Sequence, residues 1–362
     1  MKLLIVLHHQ FELWNAPAWL PERLRRDFPQ LEVVHLPGYE GVEQHLPEAE
    51  IAIAWSLRPE QFLAAKKLRW IHSPAAAVHQ LLFPELVASN VMLTNAREVH
   101  GPVVAEHGIA LIFALAKRLP VAMRLQLRRE WGQERMWSER PRPREVIGAT
   151  LGLIGFGNIG GEVARRAFAL GMRVSVVRDH PEKGAGDLTS SPISETHDLA
   201  PNVSEGNDFN RAITGQNKEG ALAAEVFGLG DLDRVLERSD FVVLAAPLTE
   251  KTREFINAER LGHMRPEAYF INLSRGALVD EPALIAALRH KRIAGAALDV
   301  FSAEPLPADS PLWELDNLLI TPHTAAVTEQ LWERHYALFS DNLRRYLAGQ
   351  PLRGVVDKKK GY

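Results

Sequence analysis

"LGLIGFGNIGGEVARRAFALGMRVSVVRDH" occupies Leu151–His180. An apolar run ends at Ile154, glycines stand at 155, 157 and 160, and a helical apolar period follows through Ile159, Val163, Ala164, Ala167 and Phe168. Strand, tight turn and helix in that order leave unpaired helix N–H groups aimed at a phosphate. Gly155 permits the turn, Gly157 lets a pyrophosphate approach the backbone, and Gly160 lets helix and strand pack closely. Asn158 and Ile159, which open the helix, are counted with this cradle. Such a turn is ordinarily followed, about twenty residues on, by an acid that holds a ribose hydroxyl. Here the next strand ends in "VVRDH", with Arg178 in that place. A carboxylate would repel the 2′-phosphate of NADP and a guanidinium would pair with it, so Arg178 points to NADP. Asp179 keeps NAD open should the strand end one residue later.

The same alternation of apolar strands and amphipathic helices continues outward. Downstream come "FVVLAA", "AYFINLS", "IAGAALDV" and "NLLITP" as strands, with "LDRVLERS", "NAERLGHM" and "EPALIAALRH" as helices between them. Upstream, "LLIVL", "LEVVHL", "AEIAIAWS", "LRWIHS" and "VMLTN" predict a second parallel sheet. Between the two series lies "VVAEHGIALIFALAKRLPVAMRLQLRREW", predicted as one long helix with Pro102 at its first position and a surplus apolar face suited to a dimer. From His180 to Ala221 the chain is poor in aliphatic residues and rich in Ser, Asn, Gly and Pro. That stretch reads as a mobile, solvated insertion; because it leaves directly from Arg178, a flap over the adenosine end of the cofactor is the sharper reading.

The chain has 362 residues, 42 Lys plus Arg against 45 Asp plus Glu, and no cysteine. A net charge of −3 gives no general attraction to nucleic acid or an anionic membrane, and any basic site must be local. Without thiols there is no disulfide framework or thiolate metal site; a cytoplasmic location is expected. The N-terminal "MKLLIVLHH" is too short for a signal-peptide core, and "IALIFALA" (109–116) is far below membrane-spanning length. His8, His9, His100 and His107 show no zinc spacing with an acidic or thiolate partner and read as structural or solvated; no metal is expected. Among the tryptophans, Trp70, Trp131 and Trp137 read as core or subunit contacts, Trp55 as a cleft wall, and Trp332 as a weaker cleft candidate.

Three further stretches fall at predicted strand ends: "INLSRGALVDE" with Arg275, "ALDVFSAEPLP" with Glu304, and "LLITPHTAAVT" with His323. In one parallel sheet they can converge on the crevice beside the dinucleotide. An arginine grips a carboxylate through two parallel hydrogen bonds, an imidazole moves a proton near neutral pH, and a carboxylate steadies its cationic form. That equipment suits a small 2-oxo or 2-hydroxy acid.

With "GFGNIG", "NLSRG", "DVFSAEP" and "TPHTAAVT" in this order and spacing, the chain resembles the D-isomer-specific 2-hydroxyacid dehydrogenases over nearly its whole length apart from the insertion. The resemblance implies an α/β fold with a doubly wound Rossmann cofactor domain (98–324) inserted in a flavodoxin-like, discontinuous substrate domain (1–97 and 325–362). It implies that Arg275 binds substrate, His323 is the acid/base, and Glu304 pairs with the histidine and favours its protonated form. It assigns the substrate carboxylate to backbone N–H groups of Ala76, Ala77 and Val78 in "SPAAAVH", the cofactor's flank to Ala246, Pro247 and Leu248, and its carboxamide to Asp299. Asn272 is expected to fix the turn before Arg275. The implied activity is an NAD(P)-dependent D-2-hydroxyacid dehydrogenase, with NADP preferred over NAD and glyoxylate or hydroxypyruvate as natural substrates for reduction. The chain ends about forty residues after His323, so the regulatory domain appended in some phosphoglycerate enzymes is not expected. The rival readings are a cofactor-sensing, corepressor-like interaction protein on the same framework and an oxidative NAD-dependent dehydrogenase.

Overall fold

A computed structural model of the protein describes residues 1–184 and 224–361. The segment read from sequence as an insertion with a possible flap lies, from 185 to 223, outside the described residues. The chain divides into two compact units, Met1–Val103 with Ala326–Tyr362, and Val104–Ala325.

The first unit is built on five parallel strands, β1 (Lys2–Val6), β2 (Glu32–Leu36), β3 (Ile51–Ala54), β4 (Trp70–Ser73) and β5 (Met92–Asn95), in the order β2-β1-β3-β4-β5. This is the flavodoxin-like order. Side chains alternate across the sheet, and both faces are covered. Leu4 and Val6 pack with Val42, Leu46, Phe62 and Leu86 on one face, and Leu3 and Ile5 with Leu20, Leu24, Phe339 and Leu343 on the other. The C-terminal helix Leu331–Leu347 supplies that second layer through Trp332, Tyr336, Phe339 and Leu343, spaced at the helical period. Trp332 is therefore core rather than cleft wall; its indole N–H donates to the Leu13 carbonyl at 2.7 Å. Trp70 is core as expected, fully buried and stacked on Phe339.

The second unit holds seven parallel strands: β6 (Thr150–Ile154), β7 (Arg173–Val177), β8 (Glu225–Phe227), β9 (Phe241–Leu244), β10 (Tyr269–Asn272), β11 (Gly295–Leu298) and β12 (Leu318–Ile320). Their order is β12-β11-β10-β9-β6-β7-β8, a doubly wound sheet that reverses between β6 and β9. Ligands of such sheets bind outside the carboxyl ends of the strands at that reversal. β8 was not legible in the sequence: three residues, the first exposed, give too short a pattern.

The long helix differs from expectation at both ends. It begins at Arg97, so Pro102 lies inside it, where the missing N–H costs one bond to the Glu98 carbonyl. It stops at Ala116; Arg118 takes a left-handed φ of 54°, and a second helix runs Leu119–Leu127. Pro120 cannot donate to the Ala116 carbonyl, which accepts instead from the Arg144 N–H at 2.8 Å. The buried Arg118 guanidinium secures the corner on the Met136 and Glu139 carbonyls. Among the described residues this helix, Arg97–Ala116, alone has the length and apolar content to cross a membrane, and it is mostly buried.

Candidate active site

Every chemical group singled out in the second unit sits just past a strand end. After β6, Gly155 has a φ of 96°, and a Cβ there would lie 2.6 Å from the Ala246 backbone, so only glycine lets the segments after β6 and β9 close at the sheet reversal. Gly157 caps the helix Asn158–Ala169, and among the described residues no side chain accepts from its first N–H groups. A Cβ on Gly157 would meet nothing within 4 Å. Gly160 packs on the Gly155 carbonyl. An open glycine face at an uncapped helix N-terminus fits a pyrophosphate, and Asn158 and Ile159 begin the helix that would hold it.

Arg178 directly follows β7. Its backbone N–H pairs with the Phe227 carbonyl at 3.0 Å, and its guanidinium lies 5.5 Å from the ring centroid of Phe156, inside the glycine turn. One of its five donors reaches the Gly184 carbonyl at 2.6 Å. Asp179 is 74% exposed and 3.9 Å from His180. After β9, Ala246 underlies Gly155, its carbonyl accepts from the Ser274 hydroxyl, and the Pro247 carbonyl accepts from Thr252 Oγ1 at 2.8 Å. Leu248 remains partly exposed.

Asn272, the last residue of β10, accepts from the Ser274 N–H and donates to the Arg275 carbonyl, both at 3.0 Å. It fixes the turn that presents Arg275, as the sequence predicts. The neighbouring Gly276 has no room for a Cβ: one would strike the Phe301 backbone. Glycine at 276 thus lets the arginine's loop lie directly on the loop that carries Glu304. Burial draws the Arg275 guanidinium below its ordinary pKa, opposed by the nearby charge of Glu304.

Glu304 Oε1 accepts from the Phe301 N–H at 2.9 Å, and Oε2 lies 2.6 Å from Nδ1 of His323. Burial pushes the Glu304 carboxyl up, but the bond from His323, the Phe301 N–H and the charges of His323 and Arg275 together hold it below the usual glutamate range. It is a carboxylate at neutral pH. Nδ1 of His323 therefore donates to it, which leaves Nε2 to exchange a proton with a ligand on a side chain 48% exposed. The structure thus brings together the arginine, carboxylate and imidazole named from sequence.

Asp299, just past β11, is 1% exposed, and both its oxygens accept from the segment 321–325. In the first unit, Ala76, Ala77 and Val78 follow β4. Their carbonyls are engaged by Asn95, Gln80 and the Leu81 N–H, while their own N–H groups have no acceptor among the described residues. Trp55 packs edge-on to Trp14 and donates to its carbonyl at 3.0 Å.

A Rossmann sheet with a glycine turn at its reversal and an arginine, a carboxylate and an imidazole at successive strand ends defines a dinucleotide-dependent oxidoreductase. Residues 109–203 and 208–325 match the family described as D-isomer specific 2-hydroxyacid dehydrogenase, NAD binding domain. The chain is 32% identical over 305 residues to the glyoxylate reductase of Korarchaeum cryptofilum (strain OPF8), covering 83% of this chain and 79% of that one. It is 31% identical over 293 residues to a D-3-phosphoglycerate dehydrogenase of Methanocaldococcus jannaschii, covering 81% of this chain and 48% of that one. Among solved structures, it resembles an NADPH-dependent glyoxylate/hydroxypyruvate reductase from Sinorhizobium meliloti in complex with NADP and sulfate, with a TM-score of 0.74, 25% identity and complete coverage of both chains. A D-isomer specific 2-hydroxyacid dehydrogenase family protein from Aeromonas salmonicida gives a TM-score of 0.73 at 29% identity, covering 99% of each chain. The chain belongs to the D-isomer specific 2-hydroxyacid dehydrogenase family, and it is an enzyme of the NAD(P)-dependent class.

Proposed function

We propose that the protein reduces a small 2-oxo acid, glyoxylate or hydroxypyruvate, to the D-2-hydroxy acid with NADPH. The observation that carries this reading is the 2.6 Å pairing of His323 with Glu304 beside the half-buried Arg275. Gly155–Gly160 would hold the pyrophosphate of a dinucleotide, with Ala246 and Pro247 along its flank and Asp299 toward its carboxamide, and the reduced cofactor would supply the hydride. Arg275 holds the substrate carboxylate through its fork and draws electron density from the carbonyl oxygen. His323 gives its Nε2 proton to that oxygen as it becomes an alkoxide, and Glu304 balances the charge the imidazole carries beforehand. In the first unit, the unpartnered amides of Ala76, Ala77 and Val78 are proposed as donors to a carboxylate.

NADPH is preferred because Arg178 lies over Phe156 of the phosphate turn while Asp179 points into solvent. Replacing Arg178 with Leu is expected to raise the KM for NADPH about tenfold or more and to leave that for NADH within about twofold. Equal effects on both cofactors contradict the assignment. The whole reading is tested with a panel of 2-oxo acids and both reduced cofactors. Consumption of NADPH supports it, whereas binding of cofactor without turnover of any acid supports the corepressor-like alternative.

The active unit is proposed to be a homodimer. Leu119, Met123 and Leu127 form an exposed apolar stripe at helical spacing, followed by Trp131 at 92% and Trp137 at 60% exposure. Exposed apolar side chains of this kind suit a second copy related by a twofold axis. Sedimentation of the wild type and of Leu127→Asp tests it: a monomeric wild type contradicts it.

A further inference from the structure

The loop carrying His323 is held from both sides by one carboxylate. Asp299 Oδ1 accepts from the Thr321 hydroxyl at 2.6 Å and from the Thr324 N–H at 2.9 Å, and Oδ2 accepts from the Ala325 N–H at 3.0 Å. Between these anchors His323 has a φ of 52°. A residue with a bulky side chain stays in that left-handed region only where its surroundings over-determine it.

The anchors have a further support, 214 residues away in sequence. His107, on the helix Arg97–Ala116, places Nε2 3.0 Å from Thr321 Oγ1 and 3.6 Å from Asp299 Oδ1. Thr321 spends its only proton on Asp299, so its oxygen accepts from His107, and the His107 proton sits on Nε2. Burial holds His107 below the ordinary histidine range against the opposing pull of Asp299, which keeps the ring a neutral donor. Removing it frees the Thr321 hydroxyl to rotate off Asp299.

We propose that His107 is a positioning residue for His323, acting through the relay from His107 Nε2–H to Thr321 Oγ1–H to Asp299, which keeps the carboxylate on the two amides that directly follow the acid/base. The relay acts in the reaction set out above and so rests on that reading. Four variants are made: His107→Leu, His107→Gln, Thr321→Val and Thr321→Ser. Each is assayed for kcat and KM, melting midpoint, and hydrogen–deuterium exchange of the peptide covering Thr321–Ala325. His107→Leu is expected to lower kcat about tenfold with both KM values within about twofold, and to speed exchange in that peptide, at an unchanged melting midpoint. His107→Gln keeps an N–H in the place of Nε2 and restores both readouts; a fold-only role would give no such rescue. Thr321→Val reproduces His107→Leu, and Thr321→Ser does not. Wild-type kcat and exchange in His107→Leu overturn the proposal, and so does His107→Gln behaving as His107→Leu does. Should His107→Leu fail to fold, the Thr321 pair decides in the same way. Should the wild type reduce no 2-oxo acid, the proposed activity falls, while the exchange measurement still judges the relay.

Discussion

In the unit Met1–Val103 with Ala326–Tyr362, His72, His100 and His335 are 2%, 7% and 3% exposed; in the unit Val104–Ala325, His323 keeps 48% of its side chain in the open beside Glu304. The first set lies among aromatic rings: His72 beside Trp70 and Phe339, His335 beside Trp332 and His100. Burial pushes His72 down to about 3 and His335 well below the ordinary histidine value, the latter helped by the neighbouring histidines. Among the described residues, neither faces a carboxylate. His323 has a carboxylate at 2.6 Å and an open second nitrogen. The same side chain is thus a core filler where water and anions are kept away, and is open to proton exchange where both reach it.

Three substitutions press on this contrast. The largest effect is expected from removing the cation: Arg275→Leu should lower kcat/KM about a thousandfold with folding intact, whereas His335→Leu should leave kcat/KM within about twofold, as steady-state kinetics will show. A large kinetic loss in His335→Leu would erase the distinction between the two histidine environments. Glu304→Gln keeps the shape and removes the carboxylate that the His323 Nδ1–H donates to. Turnover at neutral pH should fall about tenfold; unchanged turnover counts against the pairing.

The smallest effect is on stability. His72 and His335 have folded pKa values below their unfolded ones, so below pH 6.5 the unfolded chain takes up protons that the fold refuses, down to about 3 for His72. Their contribution is complete above pH 6.5 and declines as the pH falls, by up to about 1 kcal/mol per pH unit for each. Urea midpoints between pH 7 and 5 should therefore fall more steeply for the wild type than for His335→Leu. Parallel slopes would mean that the ring gains its proton without unfolding.

Much of this was legible because the groups sit where a pattern ends. The glycine turn, Arg178, Asn272, Arg275, Glu304 and His323 each follow an apolar run, and a parallel sheet gathers strand ends at one edge. What stayed hidden depends on distance in sequence or on subtle backbone geometry. Nothing links His107 to Thr321 in the linear chain, and a lone histidine on an apolar helix reads as structural. Gly276 looks like any loop glycine until the Phe301 backbone is seen against it. The break at Arg118 had a signal in Pro120, overridden by the apolar period on either side. Trp332 reads from sequence as a weaker cleft candidate, whereas the helical period turns it inward with Tyr336 and Phe339.

The central claim is that the imidazole of His323 supplies the proton for reduction of a 2-oxo acid. The direct measurement follows nicotinamide absorbance after purified wild type and His323→Gln are mixed with NADPH and either glyoxylate or hydroxypyruvate. Wild type should consume the cofactor, and His323→Gln should do so about a thousandfold more slowly while binding it equally well. Equal rates in the two proteins would contradict the account.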